Sequence, residues 1–322
     1  METEIMEEYK IVPYRPEFLD GAAEVMRGLW GRSFDERVEY LKWKYHDNPC
    51  TEKPFGIVAL HVGKVVGFRG YCAAPWQTRG KNIGALMVGD TVVERSHWRR
   101  GLSMMMGRKA CEEYSSDYRF FLNMEANEKA TGGYLKLGFY PLLDRRMQIS
   151  FAKMDKTGIN DVVVSNEPDL QRMRPLTTDK IALKPDDKFF SWRYKSNIPY
   201  KYLFYYHNND YIVIGQLKKS DTIFILDYTE NDIGSFETIL KCIRHTPSIV
   251  TLSIRTMNLS ENVSNVLKKL KFKDNNIKNK NLCPILVRPT SPDIVEEDWF
   301  LNGLDMRDIN NWQLKGICSE WA

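Results

Sequence analysis

The residues best suited to chemistry lie in the stretch NEKATGGYLKLGF, which spans residues 127–139. The stretch follows the apolar run RFFLNM, which predicts a strand over 119–124, and it predicts a helix over 127–137. Asn127 and Tyr134 are seven positions apart, so they share one face of that helix. An amide and a phenol that face the same gap can hold a ligand by hydrogen bonds and can give it a proton.

A second candidate site is the turn HWRRGLS at residues 97–103. It connects the apolar run 83–93, a predicted strand, to a predicted helix that begins near Gly101. The first amides of a helix lack intrahelical partners and lie at the positive end of its dipole, so they attract anions. Gly101 allows an anion to approach closely, and Arg99 and Arg100 add positive charge. The turn therefore predicts a phosphate site, with a solvated loop as the alternative.

Together the two segments resemble the GCN5-related N-acetyltransferases (GNAT). In that family a Gln/Arg-x-x-Gly-x-Gly/Ala turn after the fourth strand holds the pyrophosphate of acetyl-CoA, and an N-x-x-A-x-x-x-Y-x-x-x-G-F run follows the fifth strand. All fixed positions of that run are present here. The turn departs from the pattern, since Trp98 replaces Gln or Arg and Ser103 replaces Gly or Ala. The resemblance covers about residues 9–150.

The resemblance implies an N-acetyltransferase that moves an acetyl group, or another acyl group, from acyl-CoA to a primary amine by direct attack. In the family the fourth and fifth strands splay apart, and the pantetheine lies along the free edge of the fourth strand. The residues implied to bind acetyl-CoA lie at this edge, in the turn and at the start of the next helix: Val92, Val93, Trp98, Arg99, Arg100, Gly101, Leu102, Ser103 and Asn127.

The resemblance also implies that Tyr134 protonates the departing thiolate, with a packing role as the alternative. The amine must be neutral when it attacks, so a general base or a chain of water molecules is required. Asp90 and Glu125 are the candidate bases, and Glu94 is a third. Glu125 is preferred because it ends the strand beside the expected gap.

Three residues upstream of the turn and helix are candidates for an acceptor pocket. They are Trp43, Arg69 and Trp76. Aromatic residues at such positions belong to the core at least as often, so a structural role stays open. No cysteine is placed to act as a nucleophile, which agrees with direct attack.

An internal repeat divides the chain. YLKWKYHDNP at 40–49 and FFSWRYKSNIP at 189–199 share a Trp-basic-Tyr centre followed by Asn and Pro. A β-rich pair of runs follows each copy, and LKKLKF at 267–272 echoes YLKLGF at 134–139. The same elements in the same order indicate duplication.

The second copy lacks the residues that the first copy offers for cofactor binding. Three positions differ: Leu267 for Tyr134, Lys271 for Gly138 and Ser260 for Asn127. No Arg-x-x-Gly-x-Gly turn follows the run ILDYTEN at 225–231. We therefore expect a degenerate second copy that covers or completes the acceptor site of the first.

The element order β-α-α-β-β-β-α-β-α-β predicts an α/β fold, organised as two tandem GNAT-like mixed-sheet domains of which the second is degenerate. We expect an N-terminal acyl-CoA-binding domain at 1–153, a linker region at 154–187 and a degenerate domain with a C-terminal tail at 188–322. The tail carries Trp299 and Trp312, which should pack on the body. Two-domain proteins of this type accompany bacterial polysaccharide biosynthesis, which implies an amino sugar, free or nucleotide-linked, as acceptor.

The composition excludes several other classes. The 322 residues carry a net charge of only +4, which does not indicate a dedicated nucleic-acid binder. The six cysteines form no CxxC pair and no cluster with histidine, so neither a metal site nor a disulfide framework is predicted. No apolar run reaches the ~18 residues of a membrane span. The acidic, polar start is untypical of a secretory signal, so a cytoplasmic location is expected.

Two other functions fit parts of the sequence. An aminoacyl transferase of the Fem type also pairs two GNAT-like folds, but it does not need an acetyl-CoA turn. A non-catalytic acyl-CoA-binding protein would explain the departures at Trp98 and Ser103. A homodimer is compatible with the sequence.

Overall fold

A computed structural model of the protein describes residues 9–30, 32–124, 126–143, 148–151, 161–174, 178–195, 200–217, 222–244, 251–255, 258–274 and 284–318. The preferred base, Glu125, lies outside the described residues.

Strands provide most of the framework, and the helices cover their faces. Up to residue 153 the strands are β1 (Tyr9–Pro13), β2 (Gly56–His61), β3 (Lys64–Thr78), β4 (Lys81–Val93), β5 (Phe120–Asn123), β6 (Tyr140–Leu143) and β7 (Gln148–Phe151). The later strands are β8 (Val163–Ser165), β9 (Ile181–Leu183), β10 (Tyr200–His207), β11 (Asp210–Leu217), β12 (Thr222–Tyr228), β13 (Thr251–Arg255), β14 (Lys273–Asp274), β15 (Ile285–Pro289), β16 (Phe300–Leu301), β17 (Leu304–Asp305) and β18 (Trp312–Gln313). The α-helices are α1 (Leu19–Val25), α2 (Arg27–Trp30), α3 (Phe34–Leu41), α4 (Leu102–Tyr114), α5 (Glu128–Lys136), α6 (Asp187–Arg193), α7 (Ile233–Arg244) and α8 (Glu261–Lys269).

The first sheet has the strand order β1-β2-β3-β4-β5-β15-β6, with β9 added beside β3 and β18 beside β9. It is a mixed sheet, because β4 and β5 run parallel while β2, β3 and β4 are antiparallel neighbours. Helix α4 packs on β1, β2, β3 and β4. A hydrophobic cluster that includes Met106, Ala110 and Tyr134 fills the space beneath α4 and α5. The opposite face belongs to a larger core that the two halves share.

The second sheet repeats this order as β14-β7-β13-β12-β11-β10-β8. Strands β12 and β13 are its parallel pair, and they occupy the place that β4 and β5 hold in the first sheet. Helices α7 and α8 pack on its outer face around Phe236, Ile239 and Leu267. The two halves are therefore built to one plan.

The two sheets exchange strands between the halves of the chain. β7 lies in the second sheet, where Phe151 pairs with Leu252 of β13. β15 lies in the first sheet, where Val287 pairs with Leu122 of β5 and with Tyr140 of β6. The expected domains 1–153 and 188–322 thus exchange β7 and β15, and the region 154–187 supplies β8 to the second sheet and β9 to the first.

The repeated Trp-basic-Tyr motif joins the two halves at their centre. Trp43 lies in a π-helical turn over Lys42–His46, and Trp192 lies in α6. Their rings stack with centroids 5.2 Å apart and planes 20° from parallel. Each indole N–H donates to the backbone carbonyl of the other residue, at 2.9 Å from Trp43 and 2.7 Å from Trp192. The reciprocal contact has the symmetry expected of two copies related by a pseudo-twofold axis.

The C-terminal tail packs between the two sheets. Trp312 is fully buried against Trp76 and Phe120, and Trp299 is 9% exposed, as expected of two tryptophans in the tail. A Cβ atom at Gly316 would lie 2.8 Å from the Cα of Leu226 in β12, so a glycine is needed for this approach. No helix in the described part of the chain is long and apolar enough to cross a bilayer.

The strand exchange predicts that the first half does not fold alone. The fragment 1–153 lacks β15, whose residues Ile285, Leu286 and Val287 are fully buried between β5 and β6. Burial of three such side chains contributes roughly 5–9 kcal/mol, comparable with the ~5–15 kcal/mol stability of a whole domain. We expect no cooperative thermal transition by circular dichroism, and recovery of one when 154–322 is co-expressed. A cooperative transition of the lone fragment would show that the exchange is dispensable.

Candidate functional site

The crevice between β4 and β5 is the first element of the candidate site. The parallel pairing of these strands ends at Met87 and Leu122, and β5 ends at Asn123. β4 continues to Val93 while it still pairs with β3 on its other side. Among the described residues, no strand pairs with the β5-facing edge of residues 88–93. Such an edge offers backbone N–H and C=O groups to an extended ligand.

A β-bulge explains why β4 leaves β5. Arg69 pairs with Thr91, but Tyr71 pairs with Val88, so β4 contains one extra residue across this step. The extra residue falls at Gly89 and Asp90, and a bulge bends its strand and increases the local twist.

The Asp90 side chain is buried in a polar network that fixes this bulge. Its Oδ2 accepts hydrogen bonds from Tyr45 Oη at 2.8 Å, Tyr40 Oη at 3.1 Å and Lys44 Nζ at 3.1 Å. Both Asp90 and Lys44 have side chains at most 1% exposed. A Cβ atom at Gly70 would overlap the Tyr45 hydroxyl, so the glycine admits the phenol. The carboxylate is engaged by three donors and shielded from solvent, which favours a structural role over that of a base.

The turn after β4 presents an open helix N-terminus. Gly101 takes the left-handed conformation with φ 73°, which glycine adopts readily, and no side chain caps α4. The first intrahelical bonds run from Met104 and Met105 to the Gly101 carbonyl. The amides of Leu102 and Ser103 precede them, so they are positioned to bind an anion. Arg99 and Arg100, both exposed, belong to the same turn.

Trp98, which departs from the family pattern, ties this turn to the end of β4. Its indole Nε1 donates to the Val93 carbonyl at 2.7 Å, although the side chain is 59% exposed. The contact leaves the Val93 carbonyl engaged within the protein. Val92 and Val93 are half-buried on opposite faces of the strand.

Several residues of the Asn-x-x-Ala-x-x-x-Tyr-x-x-x-Gly-Phe run begin or end helix α5. Asn127 is the exposed N-cap of α5, and its Oδ1 accepts from the Ala130 amide at 2.9 Å. Gly138, with φ 83°, ends the helix, and the Phe139 amide donates to the Tyr134 carbonyl at 3.1 Å. This is the Schellman pattern with its hydrophobic contact, since the rings of Tyr134 and Phe139 lie 5.1 Å apart. The Nδ2 group of Asn127 is the part of the side chain that could meet a cofactor arm.

The Tyr134 side chain lies beside the first turn of α4. It is 6% exposed, and the Arg69 guanidinium lies 4.8 Å from its ring centroid. The Nη1 of Arg69 donates to the Ser103 carbonyl at 3.3 Å. A Cβ atom at Gly133 would lie 3.9 Å from Met104 Sδ, which shows how closely α5 approaches α4. The phenol and the open helix N-terminus thus border one crevice.

The residues expected to line an acceptor pocket lie elsewhere. Trp43 stacks on Trp192, and Trp76 packs on Trp312 with 1% of its surface exposed. Both are therefore buried members of the core that the two halves share. Arg69 contacts Tyr134, on the face of the first sheet that α4 and α5 cover, which is opposite to the face of Trp43 and Trp76.

A groove beside the turn was not foreseen from the sequence. It has a volume of about 830 Å³ and lies between α1–α2, the β2–β3 hairpin and the end of β4. The charged and histidine side chains that line it are Glu24, Arg27, His61, Lys64, Glu94, Arg95 and His97. Tyr9 Oη is 2.9 Å from His97 Nδ1, and the His61 and His97 rings are 5.0 Å apart. Because these residues come from distant segments, local sequence patterns gave no signal for the groove.

The helix start that corresponds to α4 in the second copy carries a carboxylate. Asp232 precedes α7, and its carboxylate accepts from the Gly234 amide at 3.0 Å and from Ser235 Oγ at 2.9 Å. These hydrogen bonds, that of Ser235 first, hold the pKa of Asp232 below its ordinary value. A carboxylate at this helix start repels a phosphate. Within the described residues, no group of histidine, cysteine or acidic side chains could hold a metal ion.

The buried ion pair at the bulge predicts a large stability difference between two matched substitutions. Asp90→Asn leaves the Lys44 ammonium buried without its countercharge, which costs about 3–5 kcal/mol. Asp117→Asn, at an exposed position, should change the free energy of unfolding by less than about 0.5 kcal/mol. Urea denaturation measures both. A loss below about 1 kcal/mol for Asp90→Asn would contradict the assigned role.

The chain was compared with known proteins. No family model matches it, and no curated protein matches its sequence significantly. Solved structures do match. A GCN5-related N-acetyltransferase from Anabaena variabilis is 10% identical with a TM-score of 0.62, over 88% of this chain and 73% of that one. One from Kribbella flavida is 14% identical with a TM-score of 0.60, over 87% and 71%.

A tandem GNAT protein from the clavulanic acid biosynthesis pathway is matched over the whole length of that protein. It is 13% identical with a TM-score of 0.55, over 89% of this chain and 100% of that one. At these identities the likeness shows the fold. The predicted α/β class, with two tandem GNAT-like mixed sheets, is confirmed.

Proposed function

We propose that the chain is an acyltransferase that moves an acyl group from acetyl-CoA, or another acyl-CoA, to a primary amine. The observation that carries the proposal is that the β5-facing edge of β4, with which no strand of the described residues pairs, leads toward the uncapped start of α4 and the buried Tyr134. The GNAT fold of the solved structures agrees with it.

The start of α4 is suited to the diphosphate of CoA. The amides of Leu102 and Ser103 offer donors, and Arg99 and Arg100 add charge from the same turn. Gly101 has no heavy atom within 4 Å of the place where a Cβ would be, so the backbone is open to close approach. The edge of residues 88–93 can pair with the amides of the pantetheine. The thioester supplies the activated acyl carbon.

Tyr134 is the proposed general acid. As the amine nitrogen bonds to the acyl carbon, the C–S bond breaks and its electron pair goes to sulfur. Tyr134 gives its proton to that sulfur and regains one from solvent, while the amine loses a proton to a base or to water. A thiol has an ordinary pKa near ~8.5, so the thiolate is a fair leaving group and the acid contributes within about 10²–10⁴-fold.

The residue that takes the proton from the amine is also a proposal. Glu125 lies outside the described residues, and Asp90 is held by Lys44 and two phenols. Glu94 is exposed at the end of β4, with its Oε2 3.9 Å from His97 Nε2. We retain Glu125 as the first candidate because it follows β5 directly.

The acceptor that we propose is an amino sugar, preferably linked to a nucleotide. The groove of about 830 Å³ borders the same end of β4 and offers both carboxylates and cations. Carboxylates suit an ammonium group, and cations suit a diphosphate. The charges of the groove support the class of acceptor, and they do not identify one particular sugar.

A non-catalytic acyl-CoA-binding protein is the second candidate. The observation in its favour is the Trp98 indole on the Val93 carbonyl, which removes one acceptor from the strand edge. A Fem-type aminoacyl transferase would bind no CoA, so calorimetry with CoA separates it from both other functions.

Removal of the Tyr134 hydroxyl should slow turnover without weakening cofactor binding. We expect Tyr134→Phe to lower kcat about 10²-fold in a thiol-release assay while the Kd for CoA by calorimetry stays within about twofold. Tyr140→Phe, at a 40% exposed ring of β6, is the matched control and should leave both values unchanged. The assay should screen nucleotide-linked and free amino sugars, with amino acids and polyamines beside them.

Three results would count against the proposal. An unchanged kcat for Tyr134→Phe would remove the phenol from the reaction. CoA binding without turnover on any amine would favour the non-catalytic candidate. Absence of CoA binding would overturn the proposed function as a whole.

A further inference from the structure

We propose that Arg69 is the buried cation that stabilises negative charge on the departing sulfur and that positions Tyr134 for proton transfer. The inference rests on the proposed function, because it concerns the leaving group of that reaction. It assigns Arg69 to the cofactor side of the first sheet, in place of the acceptor pocket.

The Arg69 guanidinium is buried beside two phenols and a thiol. The residue is 2% exposed, and its titratable neighbours are the phenols of Tyr71 and Tyr134 and the thiol of Cys111. Its Nε has no hydrogen-bond partner, and no carboxylate pairs with it in the part of the chain that the structure describes. Burial opposes the charged form, yet the neighbouring phenols raise the pKa of Arg69 above its ordinary value, so it stays cationic.

Three other buried cations among the described residues contact a carboxylate or backbone carbonyls. Lys44 pairs with Asp90 at 3.1 Å. Arg288 donates from Nε to the Leu137 carbonyl at 2.6 Å and from Nη1 to its neighbour's carbonyl at 2.6 Å. Arg37 donates from Nε to the Ala23 carbonyl at 2.6 Å. A lone buried charge is costly, so the spare donor of Arg69 indicates that a ligand supplies the anion.

The position of Arg69 identifies which anion this is. Its guanidinium lies between the first turn of α4, through the Ser103 carbonyl at 3.3 Å, and the Tyr134 ring centroid at 4.8 Å. Gly107 of α4 lies against it, since a Cβ there would be in van der Waals contact with Nη1 at 3.4 Å, although the atom that a Cβ would overlap is Leu137 Cδ1 at 2.5 Å. The diphosphate site lies in the exposed turn, whereas Arg69 lies deeper, beside the proposed acid. The anion nearest to that acid in the reaction is the sulfur.

A cation at this place does two things for the proposed chemistry. It lowers the energy of the charge that develops on sulfur as the C–S bond breaks. It also holds the buried Tyr134 ring through a cation–π contact. Arg69 acts on the reaction through charge and through Tyr134, so its loss should affect kcat more than KM.

The test compares the binding of CoA with that of desulfo-CoA, which lacks the thiol. At pH 9 most free CoA is thiolate, since a thiol has an ordinary pKa near ~8.5. We expect the wild-type chain to bind CoA about tenfold or more tightly than desulfo-CoA at pH 9 by calorimetry, and the preference to shrink at pH 7. Arg69→Met should abolish the preference and lower kcat roughly 10–100-fold with KM little changed.

Two further variants make the result specific. Arg69→Gln keeps hydrogen-bonding groups without the charge, so it should also lose the preference and replaces Arg69→Met if that variant fails to fold. Arg99→Met should weaken both ligands equally and leave the preference intact, because it touches only the diphosphate site. Equal binding of both ligands to the wild-type chain at pH 9 would overturn the role of Arg69 alone. Failure of both ligands to bind would overturn the proposed function itself.

Discussion

The parting of β4 from β5 is the constraint on which the site depends. Two parallel strands that stay paired would close the sheet, and no ligand could reach the backbone edge. The bulge at Asp90 turns β4 away, and the buried Lys44 ammonium cancels the charge of the carboxylate that fixes the turn. The same strand then ends beside the open N-terminus of α4 and beside Tyr134, so one distortion of the backbone creates the crevice and aligns its chemical groups.

The second half has the same plan with different polar groups. Asp227 lies at the register shift of β12, as Asp90 does in β4, and it accepts from Tyr211 Oη at 2.8 Å. The cation that pairs with Asp227 is Lys315 of the C-terminal tail, whose Nζ lies 3.2 Å from Asp227 Oδ1. The tail packs on β12, and Asp232 occupies the start of α7. The second copy therefore keeps the framework, donates β15 to the first sheet and presents a carboxylate where an anion would bind.

Local signals in the sequence predicted the local parts of the site. The sequence predicted a helix that begins near Gly101 and a helix over 127–137, and the structure has α4 at Leu102–Tyr114 and α5 at Glu128–Lys136. The roles of Asn127 as N-cap and of Gly138 as helix end were seen only in the structure. The fold class followed from the same pattern. The exchange of β7 and β15 could not be predicted, since strand pairing between distant segments leaves no periodic trace. The sequence also could not predict that Trp43 and Trp76 are buried, because a tryptophan is common both in a core and in a ligand pocket.

The most direct measurement of the central claim is a crystal structure of the full chain with bound CoA. The account predicts the diphosphate on the amides of Leu102 and Ser103, the pantetheine along residues 88–93 of β4, and the sulfur beside Tyr134. A crevice left empty at saturating CoA, or CoA bound at another surface of the protein, would contradict it.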